Sequence, residues 1–248
     1  MATCMITGIG GSIGCHVYAH LMHSTDLNVV GIDSFRHAGK TDRVTQMWLG
    51  RPLWPARTRI VTHDLTAPIS EQMAKTIGDV DYIINLASLS DVWNSLQDPV
   101  PFVETNVKVI LNILEYARIA KPKAFLQVST DEVYGPTDGT FLHKEWDPIV
   151  PSSPYSASKA AQEAIAISYW RAYKVPLIIV NLMNNFGEMQ SAKKFPVIVQ
   201  RKIEAGDPVT IHGSPEEDGS RYYIHSRNTA DALLHLLTRR APYPHRDG

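Results

Sequence analysis

The segment Cys4-Met5-Ile6-Thr7-Gly8-Ile9-Gly10-Gly11-Ser12-Ile13-Gly14 narrows the possible folds more than any other part of the chain. A short apolar run stops at a cluster of glycines, and a helical pattern begins directly after it. Glycines at 8, 11 and 14 meet three separate demands: a tight turn after a strand, a close approach of pyrophosphate to backbone, and close packing of helix on strand. The helix then opens with unpaired N–H groups, which attract an anion. Val29-Val30-Gly31-Ile32 reads as a second strand ended by Asp33, at the offset where a carboxylate accepts hydrogen bonds from a ribose 2′-hydroxyl. Strand, glycines, helix, strand and acid together predict a dinucleotide site built on Gly8, Gly11, Ser12, Ile13, Gly14 and Asp33. The acid favours NAD over NADP, although Arg36, Lys40 and Arg43 follow closely and could tolerate a 2′-phosphate.

The rest of the chain alternates strand-like and helix-like segments, the pattern of a parallel sheet covered by helices on both faces. The expected strands are Thr3 to Ile6, Asn28 to Ile32, Arg59 to Thr62, Tyr82 to Leu86, Ala124 to Ser129, Leu177 to Asn181 and, outside the main sheet, Val209 to His212. Apolar residues at Val103, Val107, Ile110, Leu111 and Leu114 have helical spacing. A second helix, from Tyr155, is rich in alanine at 157, 160, 161, 164 and 166, which permits close approach of another helix. Pro148, Pro151 and Pro154 keep the preceding loop out of helical geometry. The fold class is α/β: a Rossmann-like doubly wound parallel sheet with a small, apparently shortened C-terminal lobe. The expected division is 1–183 for the sheet domain, with the catalytic residues, and 184–248 for a partial substrate lobe.

Composition closes off several function classes. A chain of 248 residues with 44% hydrophobic content can bury a large core. A formal charge of −1 with no cluster of Lys and Arg gives no electrostatic grip on nucleic acid or an anionic membrane. No apolar run nears the roughly 20 residues that span a bilayer, and the first residues read as strand and glycine loop rather than signal peptide, so a cytoplasmic location is expected. Cys4 and Cys15 read as small buried side chains rather than a disulfide. His16, His20 and His23 recur at helical spacing but off the face defined by Ile13, Val17 and Leu21, so they are expected in solvent, and no metal is expected.

Chemistry is concentrated in Ser129-Thr130-Asp131-Glu132, at the end of an apolar run, and in Tyr155-Ser-Ala-Ser-Lys159. Residues four apart share one helix face, so Tyr155 and Lys159 can enter one pocket. A phenol with a pKa of about 10 is a poor base near neutrality, and an adjacent ammonium or cofactor cation stabilises its ionised form. Two adjacent carboxyls supply an acid and a base when their environments push their pKa values apart.

These segments resemble the extended short-chain dehydrogenase/reductase family of nucleotide-sugar enzymes, within it most closely the dTDP-glucose 4,6-dehydratases, from about Thr3 to Leu237. The specific parts are the glycine loop, Asp33, Asp64-Leu65, Leu86-Ala87, Thr105-Asn106, Ser129-Thr-Asp-Glu-Val-Tyr-Gly135, Ser153-Pro-Tyr-Ser-Ala-Ser-Lys159 and Asn184-Asn-Phe-Gly187. The resemblance implies Asp64 and Leu65 near the adenine, Leu86, Ala87, Ser88, Asn106 and Ser129 along the cofactor groove, and Lys159 on the nicotinamide ribose. It also implies an internal redox cycle on a dTDP- or UDP-hexose. Tyr155 takes the 4-hydroxyl proton while a hydride passes to NAD, Thr130 bonds the 4-oxygen, Glu132 removes the C5 proton and Asp131 protonates the departing 6-hydroxyl. Substrate contacts would come from Ser90, Asn184, Asn185, Lys194 and Arg221, with Lys193 beside them. A homodimer is implied, formed by the helix around 101 to 120 and the Tyr155 helix as a four-helix bundle.

Several positions depart from the family pattern. The chain ends at Gly248, short of the usual length; Arg227-Asn228 replace an acidic pair; Leu89 and Asp91 replace the usual Glu and His; and Gly10-Gly11-Ser12 replaces Ala-Gly-Phe. Two alternatives stay open. A 4-epimerase or related oxidoreductase would use Tyr155, Lys159 and Thr130 without the acid pair, and a non-catalytic NAD or sugar-nucleotide binding protein would turn nothing over.

Overall fold

The computed structural model describes residues 1–137, 139–211 and 220–238. Six strands form one parallel sheet: β1 (Thr3–Thr7), β2 (Asn28–Asp33), β3 (Thr58–Thr62), β4 (Tyr82–Asn85), β5 (Ala124–Thr130) and β6 (Leu177–Leu182), in the order β3-β2-β1-β4-β5-β6. The order reverses between β1 and β4, and in open parallel sheets ligands bind in the crevice beyond the carboxyl ends of the strands at such a switch point.

Both faces of the central strands are covered, which is why they read as mainly apolar runs. On one face Cys4, Ile6, Ile84, Leu126 and Val128 pack with Val17 and Leu21 of α1 (Ser12–Ser24). On the other, Met5, Ile83 and Phe125 pack with Val109, Ile110, Ile113 and Leu114 of α5 (Pro99–Ala120) and Ala166 of α6 (Pro154–Tyr173). Two short helices, α2 (Thr41–Gln46) and α3 (Glu71–Ile77), follow β2 and β3, and α4 (Val92–Gln97) precedes α5. The second face of α5 is left open: Val100, Val103 and Leu111 are exposed, as are Ile167, Trp170 and Tyr173 on α6. Among the described residues no helix is long and apolar enough to cross a membrane.

The carboxyl third differs from expectation. Val209 to Ile211 lie in irregular structure and form no strand, and His212 is outside the described residues. The second sheet is instead a parallel pair of β7 (Asn184–Phe186) and β8 (Tyr223–His225), flanking α7 (Phe195–Ala205). The last helix, α8 (Ser226–Thr238), returns to the first layer, where Ala230, Leu233 and Leu237 join Val17 and Leu21 in the core. The apolar stripe of α8 leaves water by packing on the face of α1.

That docking also corrects the reading of the first helix. His16 is 6% exposed and shares a 2.9 Å hydrogen bond with the Glu188 carbonyl, and His20 lies 3.3 Å from the Asp231 carboxylate. Only His23 of the three faces solvent. Cys4 and Cys15 are free and buried as expected, and burial pushes the Cys15 thiol up to about 11.

Candidate active site

The crevice begins at α1. Its first residues carry no side-chain cap and no acid, so the N–H groups of the first turn face outward for an anion. A Cβ on Gly14 would overlap the Gly8 carbonyl oxygen, so only glycine lets the helix start this close to β1. A Cβ on Gly10 would strike the Phe35 ring and the Lys40 backbone nitrogen, because residues 35–40 fold over the loop. The cradle fits a dinucleotide diphosphate on these grounds.

The adenosine end fits NAD better than NADP. Asp33 ends β2 and accepts from the backbone N–H groups of Gly10 and Phe35, each at 2.9 Å, one on each carboxylate oxygen. Of the three nearby cations, Arg36 is held by Asp64 at 2.6 Å, and Arg43 is buried, donating to the carbonyls of Gly10 and Ala38. A 2′-phosphate would meet the Asp33 carboxylate with two of the three cations already committed. Asp64 also accepts from Thr66, whose N–H and the nearby Arg36 guanidinium hold its carboxyl below the usual range. Leu65 is buried beside it.

The catalytic candidates meet where β5 ends. Thr130 closes the strand, accepts from the Glu132 N–H at 3.3 Å and donates to Asp131 at 3.3 Å, starting a single helical turn from Asp131 to Tyr134. Tyr155 is fixed by the start of α6. Ser153 and Ser156 form a reciprocal capping pair with Pro154 in the first turn, and the Ser95 hydroxyl of α4 accepts from the Tyr155 N–H at 3.2 Å. The Tyr155 phenol reaches the Thr130 hydroxyl.

Electrostatics in this cluster are dominated by desolvation. Burial raises Asp131, against hydrogen bonds from Thr130 and backbone N–H groups and the charge of Arg221. Burial raises Glu132 first and the Asp131 charge raises it further, against Arg221 and Lys194. Both carboxyls are therefore held above the ordinary range, by desolvation first and, for Glu132, by the neighbouring Asp131 charge as well. Without ligand the hydrogen bonds favour charge on Asp131, the reverse of the order that the resemblance implies. Tyr155 is raised by burial and then by Glu132. Lys159 falls to about 7, again by burial, with Glu163 the one opposing charge. The free chain thus does not pair ammonium with phenol; its phenol is held protonated, and positive charge arriving with a ligand has to favour the phenolate.

Other candidates are placed as follows. Lys194 and Arg221 stand within electrostatic reach of Glu132, so β7, α7 and β8 bring lobe cations to the acid pair. Ser88 is half-buried and Ser90 exposed in the loop after β4. Asn184 and Asn185 lie in β7, where Asn185 accepts from the Thr229 hydroxyl at 2.6 Å and so ties the lobe to α8. Asn106 is fully buried and spends its amide on the Leu89 backbone and the Ser158 hydroxyl, pinning the loop after β4 to α6 rather than lining the groove. Ser129 faces α6 and donates to Glu163. Asp91 caps α4 through the Asn94 N–H.

Sequence reasoning missed Asn85, Gln127, Gln162 and Glu163, all buried around Lys159. The signal was present: Asn85 and Gln127 interrupt apolar strands, and a buried amide demands a partner.

A family model described as the NAD dependent epimerase/dehydratase family matches residues 4–246. The chain is similar to the low-salt glycan biosynthesis protein Agl12 of Haloferax volcanii, at 35% identity over 92% of the chain and 71% of that protein. It is similar to the dTDP-glucose 4,6-dehydratase of Neisseria gonorrhoeae, at 31% identity over 94% of the chain and 68% of that protein. The solved UDP-glucose 4-epimerase of Thermus thermophilus, in complex with NAD, has TM-score 0.82 at 26% identity, covering 96% of this chain and 75% of that one.

Proposed function

From its membership of the NAD-dependent epimerase/dehydratase family, we propose that this chain is a nucleotide-sugar 4,6-dehydratase that converts a dTDP- or UDP-hexose to its 4-keto-6-deoxy form. The observation that carries this reading is the half-buried pair Asp131 and Glu132, adjacent at the end of β5, both raised and both acting on the Tyr155 phenol beside the Thr130 hydroxyl.

What NAD supplies when bound is an acceptor that takes a hydride and later returns it. The chain's own residues handle protons. Tyr155 takes the proton of the sugar 4-hydroxyl, with Thr130 donating to the 4-oxygen. A ketone at C4 acidifies C5–H, so a carboxylate can remove that proton. Glu132 does so while Asp131, holding the proton of the pair, gives it to the departing 6-hydroxyl, and water leaves. For this the substrate has to shift the charge of the pair onto Glu132, where Lys194 and Arg221 favour it. Under this reading the same two cations bind the diphosphate of the nucleotide sugar, since arginine offers a fork that matches phosphate oxygens.

An epimerase of the same family would use Tyr155, Lys159 and Thr130 with NAD, and would have no role for two desolvated acids. The readings separate in heavy water. Dehydration through Glu132 places solvent deuterium at C5 of the product with loss of one water, whereas an isomer with no deuterium at C5 contradicts the proposal. The same reading makes the chain a homodimer through the exposed apolar side chains of α5 and α6.

A further inference from the structure

Lys159 sits at one end of a run of buried side-chain hydrogen bonds for which the proton steps above have no use. Its ammonium donates to the Val128 carbonyl at 2.8 Å and to Gln162 Oε1 at 2.6 Å. Gln162 Oε1 also accepts from Gln127 Nε2 at 3.0 Å, and Gln127 Oε1 accepts from Asn85 Nδ2 at 2.7 Å. Asn85 Oδ1 accepts from the Thr7 hydroxyl at 2.5 Å, and the Thr7 oxygen accepts from the backbone N–H groups of Leu86 and Ala87. Each of the five side chains in this run belongs to a residue at most 3% exposed.

The run has one possible sense. At one end the two backbone N–H groups can only donate, at the other the Asn106 carbonyl can only accept and holds Gln162 Nε2, so Gln162 Oε1 is left to accept from both Gln127 and Lys159. Flipping the Gln162 amide would set its NH2 against the Lys159 and Gln127 donors and leave the Asn106 carbonyl, which accepts from Gln162 Nε2 at 2.8 Å, facing an oxygen. A buried network satisfied in only one arrangement holds its members still.

We propose that Gln162 and Gln127 are positioning residues: they fix Lys159 on two protein oxygens, leave a single N–H for the cofactor groove, and tie the lysine to the backbone that lines that groove at Leu86 and Ala87. The catalytic part of this inference rests on the reading of Tyr155 and Lys159 as the redox pair. The charged group bearing on Lys159 is Glu163 of its own helix. The neighbours from β5 (Gln127, Val128, Ser129) and from α5 (Asn106) are uncharged.

The test uses the full chain with Gln162→Met, Gln162→Glu and Gln127→Met. In cofactor-free protein, the stability difference between each variant and its own Lys159→Met derivative is followed against pH. The pH at which that difference begins to change reports the lysine, and lies near 7 in the unaltered chain. Removing the acceptor in Gln162→Met lowers this onset by about one pH unit, the tenfold change that a lost hydrogen bond to a charged group produces, and the anion of Gln162→Glu raises it by at least about as much. With NAD, Gln127→Met weakens cofactor binding about fivefold, because the loop at Leu86 and Ala87 loses its tie. With nucleotide sugar, Gln162→Met lowers kcat about tenfold at unchanged KM, and Gln162→Glu restores part of it with a displaced pH profile. An onset that stays in place in both Gln162 variants overturns the positioning role whatever the activity. An unaltered chain that dehydrates nothing, yet shows the shifts, refutes the proposed function and leaves the positioning role standing.

Discussion

Replacing Lys159 with methionine should stabilise the cofactor-free protein while ending its chemistry. The amine is 3% exposed, and its pKa falls from 10.5 to about 7. That shift corresponds to about 5 kcal/mol of unfavourable free energy for the charged form in the folded state. Methionine is nearly isosteric and leaves no orphaned acceptor, since the Val128 carbonyl and Gln162 Oε1 both still accept from Gln127 Nε2. Losing the two lysine hydrogen bonds costs about 1–2 kcal/mol, so the net gain is about 3–4 kcal/mol. The gain depends on pH with a definite sign. Between about 7 and 10.5 the unfolded chain binds the proton and the folded chain does not, so the unaltered protein gains stability as pH rises through this window. The advantage of Lys159→Met is therefore full at pH 6 and shrinks by about 1.4 kcal/mol per pH unit above 7. Urea unfolding of both proteins at pH 6, 8 and 10 measures it. A variant no more stable than the parent at pH 6, or a difference that does not shrink with pH, would refute the reasoning.

Three further outcomes follow from the same geometry. Asp131→Asn and Glu132→Gln each remove a desolvated carboxyl whose pKa is raised in the fold, a charge whose cost appears only as pH rises through the window between that carboxyl's unfolded and folded values. Both variants should melt higher than the parent at pH 8 and the same at pH 3 by calorimetry, and should lose product water by at least about a hundredfold, the scale of one general acid or base. Gly14→Ala should lower stability by several kcal/mol in urea, as in overpacked cores, because the new methyl meets the Gly8 carbonyl. Light scattering at micromolar concentration should give a dimer, and Trp170→Glu, at a 39% exposed position on α6, should give a monomer.

Local pattern carried most of the sheet. Each of the six main strands agrees with its sequence reading to within a residue at either end, because a strand packed between helix layers is mainly apolar and is bounded by turn residues. The glycine loop and the pairing of Thr130 with Tyr155 were legible for the same reason: short segments of specific chemistry at fixed points of a regular topology. What escaped depends on contacts distant along the chain. His16 is buried and His20 half-buried beside residues some 170 to 210 positions later, which no local periodicity could show. The strands β7 and β8 are three residues each and are made by each other. Asn106 and Ser129, expected on the groove, turn inward because α6 presents Ser158 and Glu163 to them. The departure at Gly10 was visible in the sequence, but the folding of Phe35 and Lys40 over the loop was not.

The measurement that bears most directly on the proposed activity is product mass. The protein is incubated with NAD and a panel of glucose and mannose nucleotides without added reductant, and the sugar nucleotides are weighed by mass spectrometry while NADH absorbance is followed. Dehydration predicts a product lighter by one water with no accumulating NADH, since the hydride returns to the same molecule. A product of unchanged mass, or bound NAD with no product from any sugar nucleotide, contradicts it.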